Sequence, residues 1–155
     1  MVLARRLGAE GYRVVLADSG GNAIAELHRG GADLLLAELT MAPMSGVELT
    51  HAVRGLNAWR DLPVILISGR SEPNGVVRAL DAGADDVVVK PFHFEVLAAR
   101  VARQLARARD VAELRADNQT LDARIVERAI ALGEMHDKLM ISEAERRRLT
   151  GLVAH

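Results

Sequence analysis

The chain has 155 residues, 50% of them hydrophobic, with 20 basic against 21 acidic side chains and no cysteine. That length bounds one compact domain plus an appendage, while the missing cysteines exclude disulfides and thiolate metal sites. A net charge of −1 recommends no polyanionic partner, no apolar run nears the roughly 18–20 residues that span a bilayer, and "MVLARRLGAEGY" is too short and too charged for a signal peptide; no nucleic acid, no membrane and a cytoplasmic location are expected.

Tyr12–Ala17, "YRVVLA", reads as the first strand, and Asp18 and Ser19 follow it. "GNAIAELHRG" then carries apolar residues at helical spacing and closes on glycine. The next apolar run, "DLLLAE" (Asp33–Glu38), ends abruptly on a carboxylate before the loop "LTMAPMSG". Helical spacing returns in "GVELTHAVRG", followed by a strand over Leu62–Ser68, a helix in "NGVVRALDAG" and a strand over Asp86–Lys90. The last three strands are near-continuous Val/Ile/Leu runs, the composition of parallel strands covered on both faces. The order βαβαβαβ predicts an open α/β sheet. In such sheets the functional crevice lies at the carboxyl ends of the strands, which singles out Glu38, Ser68 and Lys90. Each alone reads as an ordinary strand end or cap. Together they bring a carboxylate, a hydroxyl and an ammonium to one edge. A small-molecule site there lacks a Gly-rich phosphate loop, since neither "GGN" nor "GADDVVVKP" is one.

These segments, and most specifically "GADD…KPF" with "PVILIS", resemble in order and spacing the receiver domain of bacterial response regulators, over residues 1–108. The resemblance implies a flavodoxin-like (CheY-like) open parallel sheet with helices on both faces. It further implies a phosphoacceptor aspartate where Glu38 stands, a Mg²⁺-holding acidic pair at the end of a first strand, and hydroxyl and lysine positions matched by Ser68 and Lys90. Ala42 stands where a proline commonly follows the methionine, and Val87 where an aromatic switch residue is common. The chain begins inside what resembles the family's first helix, so the first strand and the acidic pair are missing, and Mg²⁺ is expected only if acidic residues lie upstream of Met1. The family strand order 2-1-3-4-5 would then leave a gap of about 10 Å. Either the natural chain extends upstream, the favoured reading, or the sheet closes differently.

A single carboxylate is a poor Mg²⁺ site, and glutamate carries its charge roughly 1.3–1.5 Å farther than aspartate, a misplacement on the scale that costs phosphoryl transfer about 10²-fold. The same reach brings Glu38 toward Lys90. The expected function is a non-enzymatic signalling module, an atypical receiver with no catalytic residue that acts on a histidine kinase or another signalling protein. The alternative is a phosphoaccepting receiver in a phosphorelay, or the N-terminal part of a hybrid kinase or output-domain regulator.

Composition shifts near residue 108: all four prolines and eleven of thirteen glycines precede it. Residues 109–155 are expected to form a helical coiled-coil tail continuing a helix that starts at Phe94. A heptad register places Val111, Asn118, Ile125, Leu132 and Leu139 at a, and Leu114, Leu121 and Met135 at d, with Arg128 and Ser142 as polar d residues. Asn118 favours a parallel homodimer in which it meets its own counterpart. The closing "SEAERRRLTGLVAH" reads as a solvated face leading to an output domain. It also loosely resembles the approach to a histidine-kinase phosphoacceptor helix, with His155 at the acceptor place.

Overall fold

The computed structural model describes residues 2–70 and 72–147, with side chains to residue 136; His155 and the segment around it lie outside the described residues. The chain divides into two compact units, Met1–Arg109 and a second beginning at Asp110. The first holds α1 (Val2–Ala9), α2 (Gly20–Gly30), β1 (Leu35–Glu38), α3 (Gly46–Arg54), a 3-10 turn (Asn57–Trp59), β2 (Val64–Ser68), α4 (Gly75–Asp81), β3 (Asp86–Val89) and the start of α5 (Phe94–Arg147). Ser19 and Ser45 cap α2 and α3, each accepting a hydrogen bond at 3.1 Å, from the Asn22 and Glu48 amides. A serine oxygen thus satisfies one of the orphan donors of each first turn.

The three strands form a parallel sheet in the order β1-β2-β3, with Leu35 opposite Val64 and Ile65 opposite Asp86. Period-2 alternation divides its side chains between two cores. Val64 and Leu66 join Leu39, Ala79 and Ala84 on one face, whereas Ile65 and Val88 pack with Leu97 and Val101 of α5 on the other. A third cluster joins α2 to α3 through Leu27, Leu49, Val53 and Leu62. The central strand is buried at all five positions, as its unbroken apolar sequence requires.

Tyr12–Ala17 corrects the four-strand expectation, because this segment forms no strand. Val15 and Leu16 are 56% and 60% exposed. β propensity describes fitness for a pleated, half-buried surface and supplies no neighbour to hydrogen-bond with. The edge strand β1 pairs with β2 and with nothing on its far side among the described residues, so its "LLA" run is only partly covered.

Arg54, the last residue of α3, braces the amino ends of the strands. Its guanidinium donates to the Gly83 carbonyl through Nε at 3.1 Å and Nη2 at 2.9 Å, to the Leu62 carbonyl at 2.6 Å, and to Asp85 at 2.8 Å. The same Asp85 oxygen accepts the Val64 amide at 2.8 Å. One planar fork thereby links α3 to the starts of β2 and β3.

Candidate functional site

β1 is pinned where it releases Glu38. Leu39, fully buried, donates its amide to the Ile67 carbonyl at 2.8 Å and accepts from Gly46 at 2.9 Å. A Cβ on Gly46 would lie 2.3 Å from the Glu38 carbonyl oxygen, so only glycine lets α3 start this close to the strand end. β3 releases Lys90 in a matching way, with the Lys90 amide donating to the Ser68 carbonyl at 2.9 Å.

Glu38 and Lys90 leave the two outer strands and meet across the end of the middle one, with Nζ 2.6 Å from Oε1. Outer strands of a three-stranded sheet stand about 10 Å apart, and a long acid and a long base close that span. The side chains are 55% and 48% exposed, so the pair stabilises the fold by no more than about 1 kcal/mol and serves mainly to fix both charges.

Ser68 ends β2 between them, yet it is buried and its hydroxyl donates to the Gly69 carbonyl at 3.3 Å. A Cβ on Gly75 would approach its Oγ to 2.5 Å, which shows how closely the start of α4 covers the hydroxyl. Asp18 and Ser19, which follow the expected first strand, are engaged at α2: the Asn22 amide group donates to Asp18, and Ser19 is the cap. Val87 is partly buried against the α4-side core.

Sequence reasoning missed Thr40 and Glu72. The Thr40 hydroxyl donates to Glu72 Oε1, joining the β1–α3 loop to the β2–α4 loop. Glu72 Oε2 is buried without a hydrogen-bond partner among the described residues. Inspecting only the last residue of each strand overlooks both, although each lies within four residues of one. The described residues contain no group of three or more metal-ligating side chains, and Lys90 already holds the Glu38 carboxylate. A single carboxylate already paired with a lysine is a poor match to the near-octahedral oxygen shell of Mg²⁺, which usually takes one or two carboxylates.

Residues 1–102 match the response regulator receiver domain family. The chain belongs to that family. It is 36% identical over 108 residues to transcriptional regulatory protein KdpE of Mycobacterium tuberculosis, covering 70% of this chain and 46% of the relative. It is 38% identical over 109 residues to phosphate regulon transcriptional regulatory protein PhoB of Rhizobium meliloti, covering 70% and 48%. Among solved structures, the signal receiver domain of a signal transduction histidine kinase from Syntrophus aciditrophicus is 35% identical, with a TM-score of 0.63 over 68% of this chain and 80% of that one. The receiver is thus a module of two-component signalling, and the chain spans about half the length of the curated relatives it matches.

These relatives overturn the expectation of no nucleic-acid partner, since proteins named as transcriptional regulators share this domain. The balanced charge of the present chain carries no information about the half of those proteins that lies outside the match. No helix among the described residues is long and apolar enough to cross a membrane.

Proposed function

We propose that this receiver is atypical: Glu38 replaces the phosphoacceptor, and its carboxylate, held in place by Lys90, stands permanently where a transient phosphoryl group would otherwise be added. The observation that carries the reading is the 2.6 Å contact between Glu38 and Lys90. Lys90 holds the carboxylate at the longer reach of a glutamate side chain, and Glu38 belongs to no group of three or more metal-ligating side chains among the described residues. On this reading the domain is a non-enzymatic cytoplasmic module that acts through protein–protein contacts. Its output passes through α5, whose tail pairs with a second copy as a coiled coil.

The test is intact mass after treatment with acetyl phosphate and Mg²⁺. The wild-type chain should gain no species heavier by about 80 Da, while Glu38→Asp, with the shorter reach, is expected to gain one. A wild-type adduct that disappears in Glu38→Gln would establish the phosphoaccepting alternative. A second reading, the receiver portion of a longer regulator, is favoured by the 46–48% coverage of the relatives.

A further inference from the structure

From Arg109 to Leu132 every residue of α5 is exposed. Val111, Leu114, Leu121, Ile125, Leu132 and Met135 are among the exposed large apolar residues. A helix exposed on all sides draws no stability from tertiary burial, and these six recur at heptad a and d positions, the signature of a seam that another helix covers. Thr120 donates its hydroxyl to the Ala116 carbonyl at 3.0 Å, which turns that polar group inward on its own helix and away from the seam.

We infer that the surface from Val111 to Met135 takes a second copy of this chain in parallel, in-register alignment, with Asn118 selecting the alignment. The inference rests on the dimeric part of the function proposed above and adds the direction and register of the pairing. In the aligned pair each apolar layer meets itself, and the two Asn118 amides, carrying both donors and acceptors, hydrogen-bond across the seam. Asp110 at g of one helix faces Arg115 at e of the other, an opposite-charge pair that symmetry repeats. One like-charge pair remains, Asp117 with Asp122.

The antiparallel alternative is well defined. The alignment that keeps most apolar layers together pairs Val111 with Met135, Leu114 with Leu132, Asn118 with Arg128 and Leu121 with Ile125. It places Asp122 against Asp122 on one flank of its midpoint and Arg124 against Arg124 on the other. The parallel pair must instead accommodate Arg128 at a d position against its counterpart. Arginine does so by laying its stem along the apolar seam and extending its guanidinium to solvent. Arg128 is then the weakest layer, flanked by Ile125 and Leu132.

The chain has no cysteine, so single-cysteine variants of the full chain read the alignment directly. Under mild oxidation Leu121→Cys should form a covalent homodimer nearly quantitatively. Val126→Cys, at an outward b position, should remain uncrosslinked. Adding Asn118→Leu should reduce the exclusive self-pairing of Leu121→Cys as other alignments become populated. If Leu121→Cys fails to cross-link to itself but links to Ile125→Cys in a mixed sample, the parallel alignment is wrong and the dimer stands. If sedimentation finds a monomer at tens of micromolar, the dimer itself is wrong. Neither result bears on Glu38, which the phosphodonor experiment tests separately.

Discussion

Gly46→Ala should be the most damaging single-methyl addition near the site. The new Cβ would stand 2.3 Å from the Glu38 carbonyl oxygen and 3.0 Å from both the Glu38 carbonyl carbon and Leu39 Cα. All three are backbone atoms of a strand end held by the hydrogen bonds of Leu39, so no flexible side chain can swing aside. Relief requires a shift of nearly an ångström, at a cost typical of overpacking, about 1–3 kcal/mol, offset by under about 1 kcal/mol from the better helix propensity of alanine. Gly55→Ala is the control: at φ −76° its nearest neighbours are carbonyl oxygens 3.5 Å away, so the variant should be neutral or gain about 0.4–1 kcal/mol. Trp59, the single tryptophan, packs on the α2–α3 cluster, and its fluorescence in urea reports unfolding of the receiver unit alone. With a urea slope of about 1–3 kcal/mol/M, Gly46→Ala should lower the midpoint by roughly 1 M. A midpoint equal to that of the wild type would refute the close approach of α3 to the strand end.

Two further outcomes follow from the brace and the sheet. Arg54→Ala should cost about 2–3 kcal/mol in the same urea assay, because it strips donors from the Gly83 and Leu62 carbonyls and leaves Asp85 without its cation; Arg54→Lys should recover little, and full recovery would show that charge alone, not the planar fork, holds the three elements. In native-state hydrogen exchange the amides of Ile65–Ser68 should be the slowest of the receiver unit, whereas those of Val14, Val15 and Leu16 should exchange without measurable protection; a protected Val15 amide would mean that the segment is paired after all.

The sheet was legible from residue patterns because β2 and β3 carry unbroken apolar runs, and such runs have no stable place except between two covering layers. Tyr12–Ala17 misled for a related reason. Its β-branched composition reports what the segment would tolerate, while strand formation also depends on a neighbour that no local pattern encodes. The approach of Glu38 and Lys90 was readable because both end parallel strands and so come to one edge. Thr40 and Glu72 were not, since their contact depends on how two loops fold over that edge, and loop paths leave no periodicity to read. Arg54 escaped notice because a basic residue closing a helix is ordinary in sequence; its role comes from three carbonyls and a carboxylate that only the tertiary fold delivers.

On the proposed reading, a permanent charge at Glu38 changes where regulation has to reside. A phosphoryl group can be added and removed, so a conventional receiver is switched by the chemistry of its own site. The Glu38–Lys90 pair cannot be erased in this way, and at roughly 1 kcal/mol or less its making and breaking would alter a conformational ratio by at most about fivefold. Moving a two-state equilibrium from mostly off to mostly on takes about 5.5 kcal/mol of differential affinity. On the proposed reading that energy has to come from a binding partner that distinguishes the two states, and coupling to α5 would let pairing of the tails contribute. Glu38→Gln should then leave the fold within about 1 kcal/mol of wild type while altering partner recognition at the strand-end edge. Equal partner affinity for the two proteins would show that the charge is a structural remnant and not a signal.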